Sequence, residues 1–95
     1  MTHYVAIVEE AGPGTAVGVW FPDLPGCFSG GDDLDEALRN APEAVALYAG
    51  ALAEDGRTMP PARTLTELKR DPEVARDIAA HMVALVPAPV AADAA

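Results

Sequence analysis

The chain has 95 residues, room for one domain and not two. Fifteen acidic residues against six basic ones give a formal charge of −9, which disfavours self-sufficient nucleic-acid binding, because that affinity comes largely from Lys and Arg. The single cysteine, Cys27, excludes an intramolecular disulfide and a cysteine metal cluster.

The same acidity suits a basic protein partner, whose approach it would steer, and also serves plain solubility. Hydrophobic residues make up 51% of the sequence and aromatics 5%, so the core must rest on Val, Leu, Ile and Ala. A domain of this size has a modest core, and association with itself or a partner would help it. The N-terminus lacks a basic stretch followed by a long apolar run, and no apolar segment approaches the ~20 residues of a membrane span. A cytoplasmic protein without membrane contact is expected.

In chain order, Thr2 to Val8 is rich in β-branched residues. Tyr4, Ala6 and Val8 fall on one face and Val5 and Ile7 on the other, both apolar, as in an interior strand. Gly12-Pro13-Gly14 is a turn, and Ala16 to Phe21 reads as a second strand completing a hairpin. Pro22-Asp23-Leu24-Pro25-Gly26 breaks the strand pattern, because proline fixes φ and removes a donor. Cys27-Phe28-Ser29 is read as a short third strand.

A long helix follows. Asp33 is placed as N-cap with Glu36 completing a capping box. Leu34, Leu38, Ala41, Val45, Tyr48 and Leu52 form one apolar stripe, and Gly56 is the C-terminal stop. Pro42 predicts a bend within this helix, not a break, because the stripe stays in phase across it. Pro60-Pro61 is a stiff connector, Thr64 to Lys69 a short helical turn, and Asp71-Pro72 the start of a helix running to about Ala80. Met82 to Val86 reads as a buried final strand stopped by Pro87, and residues 91–95 as a disordered tail beyond a domain of residues 1–90.

The economical assembly of these elements is an α+β fold with a mixed four-stranded sheet in the order 3-2-1-4. The last strand would lie beside the first and parallel to it after a right-handed crossover, with helices on one face only. The opposite face, carrying Val5, Ile7, Trp20, Val83 and Leu85, would then be uncovered and available to an oligomer or partner.

Three features occur together: a strand ending in Phe21-Pro22-Asp23-Leu24-Pro25-Gly26-Cys27, a Gly31-Asp32 step, and a helix opening Leu34-Asp35-Glu36-Ala37-Leu38 with Asn40-Ala41. In that order and spacing they resemble the HicB family of bacterial antitoxins, over roughly Tyr4 to Leu68. The resemblance implies a truncated ribonuclease-H-like β-β-β-α-β fold. It also implies a protein that neutralises HicA, a small basic RNA-cleaving toxin, by docking onto it. Many HicB antitoxins carry a C-terminal DNA-binding module; here operator binding is expected to be absent.

The Pro22–Gly26 loop, with Pro22, Asp23, Leu24, Pro25 and Gly26, is the candidate partner-binding surface. No catalytic residue, metal site or cofactor is expected. The acids Asp23, Asp32, Asp33, Asp35 and Glu36 invite a metal-dependent nuclease reading, but the first strand has no carboxylate in its interior and capping accounts for Asp33 and Glu36. His3 and His81 lack ligand spacing, and Cys27 is expected to be a buried small hydrophobe. The sequence thus points to an antitoxin-like binding module and a homo-oligomer, dimer or higher. The alternative is a solitary oligomeric domain acting as scaffold or small-ligand sensor without a toxin.

Overall fold

The computed structural model describes residues 2–10 and 12–88. Its elements, in chain order, are β1 (His3–Glu10), β2 (Val17–Trp20), β3 (Phe28–Gly31), α1 (Leu34–Glu54), α2 (Leu65–Lys69), α3 (Pro72–Ala80) and β4 (Met82–Pro87). The tail assigned to residues 91–95 lies outside the described residues.

The four strands form one sheet in the order β3-β2-β1-β4. Two expectations about it need correction. The sheet is antiparallel throughout, not mixed: β4 pairs antiparallel to β1, with Val5 opposite Leu85 and Ile7 opposite Val83. The helices also lie on both faces, not one. Tyr4, Ala6 and Val8 pack with Ala37, Ala41 and Val45 of α1, whereas Val5 and Ile7 pack with Leu68 of α2 and Val74 of α3.

One cause explains both corrections. A single helical pass across a sheet returns the chain to the end where parallel strands begin. Here the chain crosses twice, once over each face, so β4 starts at the end of the sheet where β1 stops. The face expected to be bare is therefore partly covered by its own chain: Val5 and Ile7 are buried, Trp20 and Val83 are half-buried, and Leu85 stays exposed.

Local chemistry sets each helix. Asp33 caps α1 by accepting from the Glu36 N–H at 2.8 Å, and the Glu36 carboxylate reaches back to the Asp32 N–H at 2.7 Å. The reciprocal bond goes to the residue before the cap, a one-residue variant of the capping box. The helix continues through Pro42. At its end, Gly56 takes φ 71 and donates to Ala53 O, while Arg57 donates to Leu52 O at 2.8 Å, a Schellman closure. Thr64 and Glu67 form a complete capping box on α2, and Asp71 with Pro72 opens α3.

Alanines at 37 and 41, both fully buried, let α1 lie close against the sheet. Gly31 is needed for the same reason. A Cβ there would stand 2.6 Å from the Ala37 nitrogen and 2.8 Å from the Glu36 Cβ. Asn40 completes the seam by donating from Nδ2 to Gly30 O at 2.9 Å.

Candidate functional site

The Pro22–Gly26 loop leaves β2 in two tight turns, with Leu24 N–H bonded to Phe21 O and Cys27 N–H to Leu24 O. Leu24 is fully buried beneath the loop, between Phe21 and Cys27, which are buried too. Asp23 points inward as well. Its side chain is 7% exposed and accepts from both the Arg63 backbone N–H and Arg63 Nε, each at 2.8 Å. Of the five residues expected to meet a partner, Pro25 and Gly26 form the exposed tip, Pro22 is half-buried, and Asp23 and Leu24 hold the loop down.

Arg63 joins three elements. Its Nη1 also reaches Asp71 Oδ2 at 3.0 Å, so one guanidinium ties the loop after β2 to the cap of α3. The hydrogen bonds that Arg63 donates to Asp23 and then to Asp71 push its pKa up, and the bond from Arg63 holds the Asp71 carboxyl below the usual carboxylate range. Tyr4 adds a bond from its hydroxyl to Pro60 O. Burial and then the nearby Asp23 charge raise its pKa, which keeps it a donor.

The exposed tip opens onto an apolar depression. Gly26, Cys27, Phe28, Ala44, Leu47 and Tyr48 line it, over about 290 Å³. Tyr48 is fixed there by its hydroxyl, which donates to Pro25 O at 2.8 Å. Phe28 is 70% exposed and Leu47 69%, unusual for large apolar side chains standing side by side. Glu43 and Asn40 adjoin them beyond Leu47. Sequence reasoning did not single out Phe28 or Leu47. The available signal was that Leu47 lies off the apolar stripe of its own helix.

The nearby cysteine offers little chemistry. Cys27 is buried, burial raises its thiol pKa, and Sγ lies 3.7 Å from Ala44 O. A thiol in such surroundings packs rather than reacts. Among the described residues, no three His, Cys, Asp or Glu side chains stand together as metal ligands would. No helix among them is long and apolar enough to cross a membrane.

A second recess lies on the other face. It is a groove of about 420 Å³ between α2 and β4, lined mainly by Val5, Ala62, Leu65, Val83 and Leu85, with Arg63 among its polar residues. Three residues of the predicted oligomer or partner face, Val5, Val83 and Leu85, thus line one groove. Ile7 and Trp20 belong to the cluster packed under α2 and α3.

A family model described as the HicB-like antitoxin of bacterial toxin–antitoxin systems matches residues 4–94. The chain belongs to the HicB-like antitoxin family. The antitoxin HicB of Burkholderia pseudomallei is similar in structure, at a TM-score of 0.76 and 30% identity over 97% of this chain and 67% of that one. A chain of a HicA3 and HicB3 toxin–antitoxin complex matches at a TM-score of 0.70 and 25% identity, over 93% of this chain and 99% of that one. An uncharacterized 14.9 kDa protein from the rep-hol intergenic region of Haemophilus phage HP1 (strain HP1c1) is 37% identical over 70 residues. That match takes in 74% of this HicB-like chain and 51% of the phage protein, so the chain spans about half the length of the curated relative.

Proposed function

We propose that this HicB-like chain is a non-enzymatic antitoxin that binds a small basic HicA-type RNA-cleaving toxin in the cytoplasm and masks its RNA-binding or active surface. The observation that carries this reading is the likeness, over 93% of the chain, to a chain of a HicA3 and HicB3 complex. The charge of −9 supports it, because an acidic chain attracts a basic toxin and repels nucleic acid. The docking surface we assign is the exposed tip Pro25-Gly26 together with Phe28 and Leu47. Pro22, Asp23 and Leu24 hold that tip in place. An interface of this kind draws most of its energy from a few desolvated apolar anchors within a polar rim.

The test is co-expression with the cognate toxin and co-purification of the pair. Wild type is expected to restore growth and to form a stoichiometric complex. Phe28→Lys and Leu47→Lys, both at exposed positions, should leave the fold intact. Each should weaken the complex by roughly tenfold or more, the effect of losing an anchor worth about 1.4 kcal/mol or above. Failure of the wild type to bind or rescue overturns the antitoxin reading. It would favour the alternative, a solitary oligomeric domain acting as scaffold or small-ligand sensor, for which the apolar groove beside Leu65 and Leu85 is the specific feature.

A further inference from the structure

Among the described residues, strand β4 is an edge of the sheet, with β1 as its one neighbour. An edge presents unpaired N–H and C=O groups, and chains that stay monomeric usually blunt it with charge, bulges or proline. Met82–Pro87 carries no ionisable side chain, and its proline comes only at the last position. The other edge, β3, is shorter and runs into Asp32 and Asp33.

The hydrogen bonding of β4 fixes which of its backbone groups are free. Ala88 N–H donates to Thr2 O at 2.8 Å. In an antiparallel ladder alternate residues bond to the same neighbour. Val86, Ala84 and Met82 therefore face β1, and the N–H and C=O groups of Val83 and Leu85 point outward. Pro87 also faces outward but has no N–H to give.

We propose that β4 pairs antiparallel with β4 of a second copy, about a two-fold axis at Ala84. In this register Val83 of each copy bonds with Leu85 of the other. Every free N–H and C=O of these two residues is used, and Pro87 stays at the margin, where its missing donor costs nothing. The contact is self-complementary, as a two-fold interface must be. It also sets the exposed Leu85 of one copy beside Val83 of the other, at the mouth of the 420 Å³ groove.

Charge decides for a second copy over a basic toxin. Two chains of −9 repel one another across most of their surfaces, and an uncharged strand is where they can meet at least electrostatic cost. A basic toxin gains no attraction there. It gains it at surfaces carrying carboxylates, such as the one beside Leu47, where Glu43 stands. This assembly does not depend on the toxin reading.

Sedimentation and cysteine cross-linking test it on the full chain. Wild type is expected to sediment as a two-chain particle. Leu85→Lys, at a position 64% exposed, should sediment as one chain with an unchanged circular dichroism spectrum. Ala84→Cys should link covalently under oxidised glutathione, because non-hydrogen-bonded antiparallel partners lie about 4.5 Å apart at Cα, within disulfide reach. Met82→Cys should not, since the two copies of residue 82 would be roughly 13 Å apart along the strands. Wild type under the same oxidant controls for Cys27. A single-chain wild type at high micromolar concentration overturns the proposal. So does a two-chain particle that survives Leu85→Lys and gives no Ala84→Cys link. If Leu85→Lys and the Ala84→Cys-linked dimer both lose toxin that wild type binds, the edge belongs to the toxin and the proposal falls. Equal toxin uptake by both supports two separate surfaces.

Discussion

The two faces of the sheet are held by different means. On the α1 face a 21-residue helix buries a continuous apolar cluster that runs from Tyr4 and Val19 through Leu24 to Val45 and Val86. On the opposite face two helices of 5 and 9 residues cover only Val5, Ile7, Leu68 and Val74 fully. Helices that short are not stable alone. What holds them is that small cluster together with a polar tether, Asp23–Arg63–Asp71, and the Tyr4–Pro60 bond. The lesson is that a small domain can secure one layer by extensive burial and dock a second through a small cluster reinforced by a few directional bonds. The second layer then opens first.

The largest expected effect comes from emptying each cluster in turn. Leu24→Ala and Leu68→Ala each truncate a fully buried leucine, a change that costs about 2–5 kcal/mol depending on how far the site collapses. Leu24 sits in the larger cluster and should lie near the upper end, with the whole chain melting as one unit. Leu68 should lie near the lower end, because α2 and α3 can relax toward the sheet. Hydrogen exchange separates the cases: Leu68→Ala should accelerate α3 amides far more than those of α1. Equal acceleration in both helices would mean that the two layers unfold together and the contrast is wrong.

The tether is the next largest. Asp23→Ala deprives the Arg63 backbone N–H and guanidinium of their nearest acceptor, and the loss of such a partner costs about 1–3 kcal/mol. Trp20 is the chain's one tryptophan and packs on the α2–α3 side, so its fluorescence reports that layer directly. The expected result is an early Trp20 transition in urea that precedes the loss of helical signal from α1. A single coincident transition, as in a two-state domain, would show that the tether adds nothing specific to its layer.

What the sequence made legible was whatever local chemistry controls. The hairpin follows from alternation and a Gly-Pro-Gly turn, α1 from its stripe and Asp33 cap, and α3 from Asp71-Pro72. The motif residues that carry the family resemblance turn out to be fastenings: Asp23 on Arg63, Gly31 against α1, Asn40 on Gly30. Their partners were not legible, because Asp23 and Arg63 lie 40 residues apart. The direction of β4 was missed for a related reason. It depends on how many times the chain crosses the sheet, and no local pattern near Met82 records that. Leu68 and Val74 gave no sign of which face they would cover, and the exposure of Phe28 beside Leu47 arises only when β3 and α1 come together.

Acid offers the gentlest way to separate the layers. The Asp71 carboxyl is held below the usual carboxylate range, first by its bond from Arg63 and then by the Glu73 N–H it caps. Glu67 is lowered by the Thr64 backbone and side-chain bonds of its capping box. A carboxyl whose pKa is lower folded than unfolded adds stability above the unfolded value and loses it as pH falls through the folded one. Both groups lie on α2 and α3, at the solvent surface, so the effect is small and salt-sensitive. Titrating downward from pH 5, Trp20 fluorescence should shift before the circular dichroism of α1 changes, and Asp71→Asn should flatten the low-pH part of that shift. An Asp71→Asn chain that responds to acid as wild type does would move the acid sensitivity away from the tether, to Glu67 and its capping box on α2. That result would make the α2 cap, not the Arg63 tether, the first polar contact to fail.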